Sequence, residues 1–203
     1  MSAVSAPAIR RADAQRDRIL CAALGCFIEH GFHAASMARI AEAAQMSAGL
    51  IYRYFENKNA IVLAIMQRQL DEKRALIRQL QSADQFVDGL LKAFDDLCST
   101  ARGPMSVALM LEMSAEATRN PEVAEALRHS DNLTRAEFED WLRRPREQGG
   151  AGLPAGQARS SSLAIRFVVD GLALRAAREP DLDRTEVRVA LEELLRTLLK
   201  PGD

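Results

Sequence analysis

Between residues 36 and 58 the chain gathers side chains whose chemistry is the binding of phosphate and base edges. Ser36 and Ser47 carry hydroxyls, Tyr52 and Tyr54 phenols, and Arg39, Arg53 and Lys58 fixed positive charge. Each serine stands where a helix should begin, and free N–H groups at a helix start attract phosphate, helped by the helix dipole. Tyr52, Tyr54 and Lys58 suit backbone contacts, which set register rather than sequence. Ala48, Gly49 and Leu50 between them have no side-chain donors and at most touch thymine methyl groups. Arg39 and Arg53 are the candidates for a bidentate guanine contact, worth roughly 1–3 kcal/mol of discrimination. Any further selectivity would come from DNA shape.

The elements that must position these groups are legible from periodicity. Met37, Ile40, Ala41 and Ala44 fall on one helical face, Gln45-Met46 interrupts the pattern, and Ser47 caps a second short helix. In that helix Leu50, Ile51, Tyr54 and Phe55 can pack inward, leaving Ala48, Gly49, Tyr52 and Arg53 outside. Asn57 caps a third helix, with Lys58 in its first turn. Two short helices with a shared core and one outward face form a helix-turn-helix, whose slim second helix would enter a major groove. A first helix from about Asp13 to His30 precedes them, with Ile19, Ala23, Cys26, Phe27 and His30 as its inner stripe and Gly31 as its stop.

The whole segment is more specific than the pattern alone. Arg18-Ile19-Leu20, Phe27 and Gly31-Phe32 precede Ser36-Met37, and LIYRYFENKNAIV follows. Residues 16 to 66 resemble the N-terminal domain of TetR-type (TetR/AcrR) transcriptional repressors. The resemblance implies that Ser36, Arg39, Ser47 to Leu50, Tyr52 to Tyr54 and Lys58 occupy DNA-contacting positions. It also implies an inducer held in the C-terminal domain. Relatives often carry Lys or Thr at the positions of Ala48 and Leu50, which leaves the operator sequence open.

Other chemistry is poorly represented. The sequence has no Ser/His/Asp grouping, phosphate loop, metal-ligand cluster or paired carboxylates in a pocket context, so no catalytic residue, metal or cofactor is expected. His30 and His33 read as turn residues. Cys21, Cys26 and Cys98 lack C-x-x-C spacing and read as buried reduced thiols. With no bilayer-length apolar run or signal-peptide core, the chain reads as cytoplasmic. Of its 203 residues 48% are hydrophobic and 27% charged, with a net charge of −1. Residues 1–58 hold seven Arg or Lys against five acids, or +2, leaving −3 for the rest. That asymmetry permits DNA binding without arguing for it.

The remainder divides into helices without strand patterns. Residues 1–11 read as a flexible tail, 12–58 as the DNA-binding domain and 59–203 as an effector-binding and dimerisation domain. The helix opened by Asn57 runs to about Leu80; at twenty or so residues it is about 30 Å long and could act as a lever. Ser82 with Gln85 opens a helix towards Thr100, and Gly103-Pro104 begins the next. Asn120-Pro121 opens a long helix towards Arg144, REQGGAGL (146–153) is the clearest loop, Pro154 starts a helix to about Arg178, and Asp183 with Glu186 caps the last. The architecture is all-α, about nine helices. Met66, Phe94, Leu109, Met110, Met113, Phe138, Trp141, Phe167 and Asp170 are candidates to line an effector pocket, and methionines at 105, 110 and 113 suit an apolar or aromatic ligand. Glu112 and Glu116 read as solvated, and Asp170 as bonded to backbone or Arg175. The last two helices, apolar-striped with Gly171 allowing close approach, read as the surface of a homodimer that would place two reading heads on a palindromic operator. The other reading is a helical small-molecule carrier or sensor without operator specificity.

Overall fold

The computed structural model describes residues 6–99 and 107–200, among which there are nine α-helices and no strand. Expectations about residues 1–5, Thr100, Gly103-Pro104 and Met105 lie outside the described residues. The chain divides into two compact units, one formed by 1–68 with 108–126 and the other by 69–107 with 127–203. The boundary expected at residue 58 therefore falls ten residues later. The first unit also takes back a stretch of the chain that reads, in sequence order, as part of the second.

The first unit contains α1 (Ala6–Ala34), α2 (Met37–Ala43), α3 (Ala48–Tyr52), the first half of α4 (Lys58–Arg78), α6 (Val107–Ala117) and the start of α7 (Pro121–Arg143). Helix α1 begins earlier than the expected Asp13, because nothing in Ala6 to Ala12 forbids helix once Pro7 occupies the first turn, where its missing N–H is harmless. Its stop is as expected. Gly31 takes φ +75°, ψ 163°, breaking the helix in a conformation that favours glycine. The core holds Ile19, Ala23, Phe27, Phe32, Ile40, Ile51, Phe55 and Ile61, each at most 3% exposed. His30, expected on the inner stripe, faces out, while Leu20 and Leu24 are buried.

The second unit is built from the second half of α4, α5 (Ala83–Ser99), the rest of α7, α8 (Ala155–Arg178) and α9 (Arg184–Leu198). Its core centres on Phe86, Leu91, Phe94, Trp141, Leu142, Ile165, Leu191 and Leu195. The caps act as their types require. Ser82 accepts from the Gln85 N–H (3.1 Å), while Gln85 reaches back to the Gln81 N–H (2.8 Å), one residue earlier than an ideal capping box. Asn120 accepts from Glu122 and Val123, and Asp183 from Thr185. The stretch expected as a plain loop is a plug. Ala151 and Leu153 are buried, the Trp141 indole donates to the Gly149 carbonyl (3.1 Å), and the Leu153 N–H donates to the Leu142 carbonyl (2.8 Å). A Cβ on Gly150 would lie 2.1 Å from the Arg144 carbonyl oxygen, so only glycine fits there.

Candidate nucleic-acid interface

Helix α2 starts at Ser36, whose hydroxyl accepts from the Arg39 N–H (3.2 Å), and α3 starts at Ser47, which accepts from the Leu50 N–H (3.3 Å). The turn between them is more exact than sequence reading suggested. The Met46 N–H donates to the Ala41 carbonyl and the Gln45 N–H to the Glu42 carbonyl, both at 2.9 Å. This is a Schellman cap, with Gln45 in the left-handed region at φ 53°. A non-glycine residue there costs about 1 kcal/mol. The Arg18 guanidinium of α1 holds the same residue, donating to the Gln45 side-chain oxygen (3.3 Å) and carbonyl (3.5 Å). α1 is thereby pinned to the joint that sets the angle between α2 and α3.

Inward, Ile51 and Phe55 are buried and Arg16 stacks over the Phe55 ring at 4.4 Å. Leu50 and Tyr54, expected to pack inward, are only half-buried, because α3 ends at Tyr52 and the chain turns away. Outward stand Ser47, Ala48, Gly49, Tyr52 (55% exposed) and Arg53, with Ser36 and Arg39 beside them. Gly49 has no positive φ, and a Cβ built on it would meet nothing within 4 Å. The fold itself does not ask for glycine there. Neither Arg39 nor Arg53 has its guanidinium in an ion pair with a described residue. The protein thus presents a slim helix edge between two uncommitted cations and a phenol, a surface able to accept phosphates and base edges.

Lys58 differs from the expectation. Its ammonium donates to the Phe32 carbonyl at 2.5 Å and more weakly to that of His33 at 3.4 Å, and it lies 4.2 Å from the centre of the Phe32 ring. Burial pushes its pKa down, partly offset by the nearby Glu116 carboxylate. Lys58 closes the carbonyls left open where α1 breaks, and so is occupied by protein rather than displayed to a phosphate.

The two glutamates read as solvated are occupied as well. Glu112 accepts the Phe32 N–H at 2.9 Å. Glu116, 4% exposed, meets the His33 imidazole (3.1 Å), the Arg119 guanidinium (3.0 Å) and the Asn120 amide (3.3 Å). Burial alone would raise its pKa, but hydrogen bonds from Arg119 and Asn120 and the charges of His33 and Arg119 bring it below the ordinary carboxylate value. Together Lys58, Glu112 and Glu116 satisfy the backbone and side chains around the α1 break. Only the i,i+4 spacing of the two acids hinted at this, since Phe32 and His33, which they meet at the α1 break, lie far away in sequence.

The residues named for an effector pocket are dispersed. Met66, Leu109, Met110 and Met113 belong to the unit that carries α2 and α3. Phe94, Phe138 and Trp141 are packed into the core of the other unit, and Phe167 projects from it, 66% exposed. Asp170 bonds Arg166 (3.0 Å), while Arg175 pairs with Glu179 instead. Of the thiols, Cys26 is buried and Cys98 half-buried, but Cys21 is exposed. No group of three metal-ligating side chains and no helix long and apolar enough to cross a membrane occurs among the described residues.

Comparison with known proteins agrees with this architecture. Residues 19–65 match the family model for bacterial regulatory proteins of the tetR family, and 86–200 match the C-terminal model of BetI-type transcriptional repressors. The HTH-type transcriptional regulator UidR of Escherichia coli (strain K12) is 37% identical over 137 residues, covering 66% of this chain and 67% of that protein. The HTH-type transcriptional regulator BetI of Cronobacter sakazakii is 29% identical over 167 residues, 80% of this chain and 79% of its own. Salmonella enterica GusR superposes with a TM-score of 0.73 at 25% identity, covering 95% of this chain and 98% of that one. With its reading helices matched by one model and most of the remainder by another, the chain belongs to the tetR family of transcriptional regulators, which are not enzymes.

Proposed function

We propose that this regulator is a cytoplasmic repressor that binds a palindromic operator as a homodimer and is released by a small effector taken up in its C-terminal unit. The observation that carries the reading is the outward edge of α3. Gly49 is bare where the fold has room for a side chain, and Arg39, Arg53 and Tyr52 stand around it uncommitted to protein. Tyr52 and Tyr54 then position the head on phosphates, and Arg39 and Arg53 read bases. Lys58 acts from behind, holding the α1–α2 junction.

The dimer reading is supported by apolar side chains left outside the core of the two last helices. On α8, Leu163 (43% exposed), Phe167 (66%) and Gly171 recur every four residues, and Gly171 has open space beside it. On α9, Val189 and Leu194 are about half exposed, and Val189 lines a groove of about 300 Å³ with Thr185, Glu186, Ala190 and Glu193. Against a second copy these faces would form a four-helix bundle. The first half of α4 belongs to the reading unit and the second half to the other. A ligand that favours one arrangement of the C-terminal helices would therefore change the spacing of the heads, by no more than its differential affinity for the two states.

The family resemblance implies a small effector, and the methionines at 105, 110 and 113 suit one with an apolar body. The aromatic residues first named for it are spent on the core or stand outside, so its grip must come from other groups. The carrier reading draws on the donor-free run Ala48-Gly49-Leu50. Fluorescence anisotropy against DNA from upstream of the coding region, with a scrambled duplex at two salt concentrations, separates the two. A salt-resistant preference for the native duplex supports the repressor; equal, salt-collapsing affinity supports the carrier. Arg39→Ala should relax sequence preference, whereas Tyr52→Phe should weaken all duplexes alike.

A further inference from the structure

The charged side chains of α8 and α9 sort by the face they stand on. Those on the flanks are spent within the chain. Arg166 pairs with Asp131 and Asp170, Arg175 with Glu179, Arg184 with Asp95, and Arg188 with Asp88 and Glu192. The outward faces keep the uncommitted charges, and the two helices differ in sign. On α8 the exposed line of Leu163, Phe167 and Gly171 is preceded by Arg159 one turn earlier and followed by Arg178 two turns later. On α9 Glu186 and Glu193 flank Ala190 at helical spacing, and all three line the groove already described. Arg159, Arg178, Glu186 and Glu193 are exposed and form no ion pair with a described residue. The exception on α9 is Arg196, which stands in the last turn, where a cation suits the helix dipole.

One helix thus offers an apolar centre with basic ends, and the other a groove between two acids. The pair is complementary to a second copy of itself. In a twofold dimer every contact occurs twice, so α8 of one copy on α9 of the other brings arginine to glutamate at two symmetric places. Were each helix to meet its own counterpart, arginines would face arginines and glutamates glutamates, which weakens association. The shapes agree with the charges. Phe167 is the most exposed large apolar side chain of α8, and Ala190 is the smallest residue lining the groove. An aromatic ring carries its positive partial charge at the edge, which suits a slot between two carboxylates. With Phe167 opposite Ala190, Glu186 and Glu193 lie about 6 and 4.5 Å to either side along α9, at 1.5 Å per residue. Arg159 lies about 12 Å along α8 from Phe167, leaving about 6–8 Å for the arginine and glutamate side chains to close.

We infer that the two copies recognise each other through unlike helices, α8 of each on α9 of the other. Phe167 of one copy sits over Ala190 of the other, and Arg159 pairs with Glu186 or Glu193 across the interface. Arg178, further out, adds to the attraction without contact. These charges also choose the partner, because a related chain with acids on this face of α8, or bases on this face of α9, is repelled. The inference rests on the homodimer reading above and names how the copies select each other.

The test is sedimentation of the full-length protein as a function of concentration. Wild type is compared with Glu186→Lys/Glu193→Lys, with Arg159→Glu/Arg178→Glu, with an equimolar mixture of these two variants, and with the chain carrying all four changes. Each double variant alone should dimerise about tenfold more weakly than wild type, or worse. The mixture should regain wild-type dimerisation, since acid again meets base at both contacts, and so should the fourfold variant. That recovery also shows that the exposed substitutions leave the fold intact. The inference is overturned if either double variant dimerises as wild type does, the result expected were each helix packed on its own counterpart. It is equally overturned if the mixture is no tighter than its components. Phe167→Asp separates this inference from the reading beneath it. If that change dissociates the dimer while the charge reversals do not, only the pairing of unlike helices fails. A wild-type monomer, or a dimer that survives every change, counts against the homodimer reading through α8 and α9 and takes the inference with it.

Discussion

Replacing Lys58 by methionine tests whether this lysine holds the fold or touches DNA. Methionine keeps the unbranched stem beside Phe32 but removes the ammonium that donates to the Phe32 and His33 carbonyls. A hydrogen bond from a charged donor contributes about 1.5–3 kcal/mol, and a partly exposed cation over an aromatic ring about 0.5–1. Burial of Lys58 offsets part of this, as the downward push on its pKa records. The net loss should be about 2 kcal/mol, which for a chain of this length lowers Tm by about 4–8 °C. Circular dichroism on heating reads that shift. The salt dependence of operator binding, followed by anisotropy, reads the other possibility, since each lost phosphate contact lowers the slope by about 0.9. The geometry predicts a lowered Tm with an unchanged slope. An unchanged Tm with a slope reduced by about one would refute it and return Lys58 to the DNA backbone.

Gln45→Gly should relieve the left-handed strain at the turn, about 1 kcal/mol, and lose the exposed Arg18 contact, about 0.5 kcal/mol; a urea midpoint raised at constant m is the expected result. Glu137, held below the ordinary carboxylate range chiefly by its Arg78 hydrogen bond, with Arg74 adding to it, stabilises the fold above the unfolded carboxylate pKa and loses that contribution as pH falls through the folded one. Glu137→Gln should therefore destabilise at neutral pH, and its deficit against wild type should shrink on acidification; a pH-independent deficit would show that charge is not the cause. Phe167→Asp should shift the protein to monomer in sedimentation while leaving helical content intact. An unchanged dimer would move the interface away from α8.

The local grammar was readable in advance because it is written over one or two turns of chain. Ser36, Ser47 and Asn57 cap helices since their oxygens reach N–H groups three residues on, and Gly31 breaks α1 since few other residues accept its φ. The all-helical class, the helix-turn-helix and its outward face followed from periodicity. Amphipathic pattern alone misplaced His30, which faces out, because an apolar stripe does not say which flank of it is covered.

What only the tertiary structure decided is where charged groups go. Lys58 has the right type and place for a phosphate contact, yet its ammonium is held by carbonyls 25 and 26 residues earlier in the chain. Glu112 looks solvated on its own helix until the Phe32 N–H, 80 residues away, is set against it. Arg166 and Asp131 pair at 2.8 Å although they lie on different helices, α8 and α7. A hydrogen-bond cap is specified by neighbours along the chain, whereas the fate of a long charged side chain depends on which helix happens to face it, and only folding brings that partner near.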